Sequence, residues 1–328
     1  MKFLCISYHY PGYGGAATST LKLHKTLEEN GHQSIAYFLW DKKEETSKEK
    51  YWGKRKYGKD KKIQALVNSF KPDFLICKGP YPVRHVKLNK LTTKCIYIPT
   101  GCHSLNLRKN MENGIPYSQW DNYNEANKIV NFAIENSDYI FPHSNLMYNI
   151  YINSFPHFKN KIKGVFPHIL LGHPISNTEW KKRKIDVLFS ASKWNRPAKN
   201  KKMMEEISTK LHKIKLNVKV IGEEYYDKSL SIGLLPYKEH QKILSQTKLI
   251  IVPSLFESAS NLIAEGIFNG CNILTSDNVG LAEDLPREFI ADYSLLDFIN
   301  KSSSLLSQQI PVIFPNDSII ISKFIESL

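Results

Sequence analysis

The chain is poor in cysteine, and what it has forms no recognisable pattern. Its five cysteines, Cys5, Cys77, Cys95, Cys102 and Cys271, include no CxxC pair and no partner histidine at zinc-finger spacing. An odd number without such spacing argues against a disulfide framework and for a reducing compartment, so a cytoplasmic protein is expected. No apolar run approaches the roughly 18 residues needed to span a bilayer. The opening MKFLCISYHYPG is too short in apolar residues to act as a signal peptide. There is no GxGxxG fingerprint, no P-loop lysine pair, no long repeat and no low-complexity run. Acidic residues are also in deficit, 31 against 45 basic ones, which leaves a net charge of +14. Such a balance calls for an anionic partner: nucleic acid, acidic lipid headgroups or phosphorylated small molecules.

What is present suffices for globular cores. Hydrophobic residues make up 42% of 328 positions and aromatics 12%, a length and composition that predict two domains. Strands predicted over residues 2–7, 33–39, 73–78, 95–98 and 139–141 alternate with helical stripes such as Ala126, Ile129, Val130, Ala133 and Ile134. Ser144 is placed to cap a further helix. A second series starts at 186–191 and continues through a helix bearing Met203, Met204, Ile207 and Leu211 to a strand at 218–221. Alternation of this kind predicts two doubly wound α/β domains of Rossmann-like type facing across a cleft. The expected boundaries are 1–172 for the first, a polar linker at 173–184, and 185–328 for the second. The lysine-rich stretch 42–62 reads as a solvated connection, with Tyr51, Trp52 and Tyr57 offering a weaker case for gripping a polyanion or membrane.

The stretch from Lys248 to Glu283 organises the second half. Its apolar run stops at Pro253, as a buried strand would. Ser258 and Ser260 then offer helix-capping oxygens, and Gly270 supplies a left-handed C-terminal cap before a second strand. Two carboxylates, Glu257 and Glu265, lie in the loop and on the helix. They could form a hydrolytic acid/base pair or bind the hydroxyls of a sugar or ribose. The loop after the strand at 186–191 carries Lys193, Arg196 and Lys199, which could neutralise a diphosphate leaving group or merely face solvent. Gly14 and Gly15, between a strand and a helix, would let backbone N–H groups approach a phosphate, or form an ordinary tight turn. His103 follows the strand at 95–98 as a possible hydrogen-bonding or acid/base group.

Together these pieces resemble one family. The segment PSLFESASNLIAEGIFNGCNILTSD is similar to the signature of retaining glycosyltransferases of family 4, whose two glutamates are separated by seven residues. GGAATSTLKLHKTLEENGH, KPDFLI, SDYIFPHSNLM and GLLPYKEHQKIL agree in order and position, so the resemblance runs to about Leu285. It implies the GT-B fold and transfer of a sugar from a nucleoside-diphosphate sugar to an acceptor hydroxyl on a glycan or lipid-linked sugar, with retention. It further implies that Glu265 binds the ribose and Glu257 the donor sugar, while N–H groups around Ser258, Ala259, Ser260, Asn261 and Leu262 hold sugar and phosphate. The family's Gly-Arg is replaced here by Ser192-Lys193, so Lys193 or Arg196 would take the arginine role and Lys199 that of the diphosphate lysine. Gly14 and Gly15 would approach the diphosphate, and His103 resembles the active-site histidine. No metal and no other cofactor is implied, in keeping with the lack of an Asp-x-Asp triplet. The last helix of this fold often crosses back to the first domain.

Two other readings stand beside it. A nucleotide-sugar epimerase or a phosphorylase uses the same architecture, though no lysine marks a pyridoxal phosphate anchor. A non-catalytic polyanion- or membrane-binding protein would be driven by charge alone. The transferase reading expects no nucleic acid, and a peripheral position on an anionic membrane surface would suit a lipid-linked acceptor.

Overall fold

The computed structural model describes residues 1–8, 15–39, 61–100, 123–166, 178–225, 227–313 and 317–328. The chain divides into two α/β units. The first holds β1 (Lys2–Ser7), α1 (Gly15–Glu29), β2 (Gln33–Phe38), α2 (Lys61–Phe70), β3 (Phe74–Lys78), α3 (Pro80–Leu88), β4 (Lys94–Ile98), α4 (Tyr123–Asn136), β5 (Tyr139–Ile140) and α5 (Asn145–Ser154). Its sheet runs in the order β2-β1-β3-β4-β5 with every described pairing parallel. Parallel strands are covered on both faces, which explains why the interiors of β1 and β3 read as unbroken apolar runs. Phe3, Leu4, Cys5 and Ile6 are fully buried in β1, as are Leu75, Ile76 and Cys77 in β3.

Helix α3 falls where the sequence predicts none. Pro80 and Pro82 obscure it, yet Pro80 stands in the first turn, where no intrahelical N–H is required. Ser144 caps α5 as expected, its Oγ accepting from the Met147 N–H at 3.2 Å.

The second unit contains β6 (Ile185–Lys193), α6 (Lys201–Lys213), β7 (Val218–Glu223), β8 (Ser231–Gly233), α7 (Tyr237–Ser245), β9 (Thr247–Val252), α8 (Asn261–Phe268), β10 (Asn272–Ser276), β11 (Ile290–Ala291) and α9 (Leu295–Leu305). Strand order is β11-β10-β9-β6-β7-β8. Helix α8 lies so close to this sheet that a Cβ on Gly266 would stand 2.4 Å from Ile250 Cδ1 and 2.8 Å from Ile273 Cδ1. A side chain there would have to push both isoleucine methyls aside. Gly270 ends the helix at φ +68°, the left-handed cap that its position predicts.

Two stretches lie at the expected margins of the second domain. The described part of the supposed linker, from Thr178, packs into the second unit. Trp180 is buried with its Nε1 donating to Lys248 O at 3.2 Å, and buried Arg183 donates to Thr247 O at 2.8 Å and Asn269 O at 2.6 Å. The last helix, α10 (Asp317–Glu326), belongs to the first unit. Its Ile320, Ile321 and Phe324 join Phe141 and Phe166 in that unit's core.

Cys5, Cys77, Cys95 and Cys271 are free and buried. Among the described residues, no helix is long and apolar enough to cross a membrane.

Candidate functional site

Strand β6 is the first strand of the second unit's sheet in chain order and pairs with β7 on one side and β9 on the other. The chain therefore winds outward in one direction, returns, and winds in the other. Open parallel sheets take their ligands at the carboxyl ends of the two strands where this reversal occurs. Here those ends feed two loops, 194–200 after β6 and 253–260 after β9.

The loops are bonded to each other. Leu255 N–H donates to Ala198 O at 2.8 Å, and Lys199 Nζ donates to Glu257 Oε1 at 2.7 Å. Ser254 Oγ donates to the same carboxylate oxygen at 2.6 Å. Asn200, left-handed at φ 53°, caps α6 through its side-chain oxygen and donates its amide to Pro253 O at 3.2 Å and to the Tyr293 hydroxyl. The loop after β10 joins as well, because Gly280 N–H donates to Glu257 O at 2.9 Å. Burial alone pushes the Glu257 carboxyl up. Lys199, its hydrogen bond, the Ser254 hydroxyl and Arg196 outweigh that and hold the pKa below its ordinary value. The ionised form of Glu257 is thus favoured, and in that form its oxygens accept hydrogen bonds.

Glu265 has different partners. It is buried on α8, and its Oε2 accepts from Gln241 Nε2 at 3.2 Å, with His240 Nδ1 3.7 Å away. Gln241 in turn accepts from Asn269 Nδ2 at 3.0 Å, and His240 Nε2 meets Ser190 Oγ at 3.0 Å. Burial lowers the His240 pKa to about 4, so the ring is neutral at pH 7. A neutral ring has one donor and one acceptor nitrogen, so Nε2 either accepts from the Ser190 hydroxyl or donates to it according to the tautomer.

Ser260 starts α8 in extended conformation, but its hydroxyl caps nothing. Its Oγ is buried without a hydrogen-bond partner. The first N–H groups of any helix also lack intrahelical acceptors and carry the positive end of its dipole. An anion with several acceptor oxygens would satisfy both. Ser258, Ala259, Asn261 and Leu262 flank this end, all partly exposed.

The remaining expected residues are distributed unevenly. Lys193 ends β6 and pairs with Glu223 across to β7 at 3.3 Å, on an exposed edge. Arg196 is exposed on the rim of a cavity of about 660 Å³ lined by Trp194, Asn200, Lys201, Leu255 and Tyr293. Gly15 is the first residue of α1. Gly14, His103 and most of the lysine-rich stretch lie outside the described residues. No group of three histidine, cysteine or carboxylate side chains placed to hold a metal ion occurs among the described residues.

Ser254, Ser190, His240, Gln241 and Tyr293 had no role assigned from sequence. Ser254 stands three residues before Glu257, close enough to have been a candidate. His240 and Gln241 reach Glu265 only through the packing of α7 beside α8, which no local pattern announces.

No protein-family description matches the chain, and no curated protein matches it in sequence. Solved structures do match. The catalytic domain of starch synthase IV from Arabidopsis thaliana, bound to ADP and acarbose, is similar over 99% of this chain and 98% of its own at 11% identity, with a TM-score of 0.67. WaaG, a glycosyltransferase involved in lipopolysaccharide biosynthesis, covers 100% of this chain and 94% of its own at 13% identity and a TM-score of 0.64. The UDP-GlcNAc 2-epimerase of Neisseria meningitidis, bound to UDP-GlcNAc, covers 100% of both chains at 13% identity and a TM-score of 0.62. At these identities the likeness is one of fold. The chain has the GT-B fold, two parallel-sheet α/β domains.

Proposed function

We propose that this chain is a glycosyltransferase whose second unit binds a nucleoside-diphosphate sugar and passes the sugar to an acceptor hydroxyl on a glycan or lipid-linked sugar. The reading rests above all on one arrangement: the ionised Glu257, its Lys199 partner and the uncapped start of α8 with the orphaned Ser260 hydroxyl, all at the sheet's reversal point. Lys199, Arg196 and the helix end would stabilise the diphosphate as its bond to the sugar breaks. Glu257 would accept from donor-sugar hydroxyls, and Glu265, oriented by Gln241 and His240, from the ribose. The acceptor oxygen forms its bond to the anomeric carbon as the carbon–phosphate oxygen bond breaks, and its proton passes to the departing phosphate. Transfer on that same face retains configuration. Because protein cations supply the charge, turnover should survive chelation of divalent metals.

Solved structures bound to ADP and to UDP-GlcNAc share the fold, which supports a nucleotide-sugar ligand. The epimerase among them, covering both chains in full, supports a second reading in which the sugar is altered without an acceptor. Thermal shift with UDP, GDP and ADP at low and high salt tests the site. Stabilisation by one of them that persists in salt supports donor binding. Stabilisation by any polyanion that vanishes in salt sinks it in favour of a charge-driven binder. Analysis of the sugar nucleotide incubated without acceptor then separates the two enzymes, since only an epimerase converts it. Cosedimentation with anionic liposomes at low salt checks a peripheral membrane position, and its absence would end that part of the reading.

A further inference from the structure

The run Lys181-Lys182-Arg183-Lys184 takes no part in the donor site, and the structure divides it. Arg183 turns inward to the carbonyls of Thr247 and Asn269, while the three lysines are exposed just ahead of β6. A second basic stretch lies beside them. Helix α6 ends at Lys213, and the exposed Ile214 and Lys215 lead from it to Asn217. Asn217 fastens the two stretches together. Its Nδ2 donates to Lys184 O at 2.7 Å, its N–H donates to Asp186 Oδ2 at 2.9 Å, and its carbonyl accepts from the Asp186 N–H at 3.0 Å.

The charges at this edge do not balance. Glu179 pairs with Lys182 at 2.6 Å and Asp186 with Lys248 at 2.9 Å. Lys181, Lys184, Lys213 and Lys215 form no ion pair among the described residues. Between the last two, Ile214 is 61% exposed, a large apolar side chain with a lysine on either side. Lys215 is left-handed at φ 65°, where its N–H donates to His212 O at 2.8 Å and that of Leu216 to Leu211 O at 3.3 Å to close the helix. Glycine adopts that conformation freely and lysine at a cost. A side chain kept against backbone preference points to a use for that side chain.

The cluster stands at the amino end of β6, a strand of nine residues, so roughly 27 Å of strand separate it from the loop at 194–200. A partner held here leaves the donor loops of the same unit open. Three kinds of anion compete for such a surface. A bilayer here would lie at the end of the unit remote from the loops that a lipid-linked acceptor must reach. Single-stranded nucleic acid calls for aromatic faces among the cations, and Trp180 is buried with its Nε1 committed to Lys248 O. A peptide that combines carboxylates with apolar side chains both meets the lysines and covers Ile214.

We propose that this edge is a docking surface for an acidic segment of a partner protein that also carries apolar side chains, held by Lys181, Lys184, Lys213 and Lys215 around Ile214. It does not depend on the donor reading, and either can fail alone.

Fluorescence anisotropy with a short labelled peptide of alternating glutamate and leucine tests this. Unlabelled peptide, a glutamate–serine peptide, an oligothymidylate and phosphatidylglycerol vesicles serve as competitors. Wild-type protein should bind the labelled peptide, and the unlabelled one should compete best. Lys181→Glu, Lys184→Glu and Lys213→Glu together should weaken binding at least about tenfold. The same change of net charge in the first unit, by Lys25→Glu, Lys128→Glu and Lys159→Glu at exposed positions, should leave it nearly unchanged. Ile214→Ser should remove the preference for leucine over serine. Lys215→Gly should weaken binding without lowering Tm, an outcome that a merely structural lysine would not give. No binding by the wild type, equal losses in the two triple variants, or stronger competition by vesicles or oligothymidylate than by the peptide would overturn the proposal.

Discussion

Lys199 and Glu257 meet at 2.7 Å although 58 positions separate them, one on the loop leaving β6 and the other on the loop leaving β9. Both side chains are mostly buried, so each is the other's main compensation for lost water. Lys199→Met should therefore cost about 3 kcal/mol, the scale for stranding one member of a buried pair. The double variant Lys199→Met, Glu257→Gln should recover part of that loss. Urea midpoints at pH 7 give the comparison, and equal loss in single and double variants would show that the pair is not coupled.

The same pairing sets a pH dependence. The folded pKa of Glu257 lies below its unfolded value, so its contribution is present above the ordinary carboxyl range and is lost as pH falls through the folded pKa. Glu257→Gln should flatten the acid limb of the stability curve below about pH 4.5. Parallel acid limbs in the two proteins would contradict the shift.

His240 acts over a higher range. Its folded pKa of about 4 lies below the ordinary histidine value. The unfolded chain takes up a proton near pH 6.5, while the folded chain resists until about pH 4. Stability is thus intact above pH 6.5 and declines as pH falls toward 4, by a few kcal/mol at most on the order of 1.4 per pKa unit. His240→Asn should remove that decline, as read from urea midpoints at pH 7 and pH 5.

Gln241 bridges Glu265 and Asn269 at 3.2 and 3.0 Å. If Glu265 serves the ribose, Gln241→Leu should weaken nucleoside diphosphate binding about tenfold by leaving the carboxylate unaimed. The corresponding 2′,3′-dideoxy nucleotide should bind wild type and variant alike. An equal loss for both ligands would mean that Gln241 supports packing rather than ribose contact.

The unevenness of what sequence revealed has a physical basis. Strands β1, β3, β6 and β9 were legible because both faces of a parallel sheet are covered, which forces continuous apolar runs. Gly270 was legible because a left-handed cap has few alternatives. Helix α3 was hidden by prolines that its first turn tolerates. Arg183 was hidden because a basic run reads as solvated when its acceptors, Thr247 O and Asn269 O, are backbone atoms more than sixty positions away. Glu257 and Glu265 could be found from spacing, but their separate partners could not. Those depend on which loops and helices the strand order makes adjacent.

The chain's end illustrates the same limit and yields a further test. Helix α10 has a modest apolar stripe that could cover many surfaces. In the fold Phe324 is buried against Phe141 at 5.1 Å and Phe166 at 4.8 Å between ring centroids, both edge-on. Two edge-to-face contacts in a closed core make Phe324→Ala a cavity variant, expected to cost about 3–5 kcal/mol. Leu296→Ala, at a side chain 71% exposed on α9, is the control and should stay within about 0.5 kcal/mol of wild type. Chemical denaturation of the three proteins measures both. A Phe324→Ala loss no larger than the control's would mean that α10 rests on the first unit without helping to hold it together.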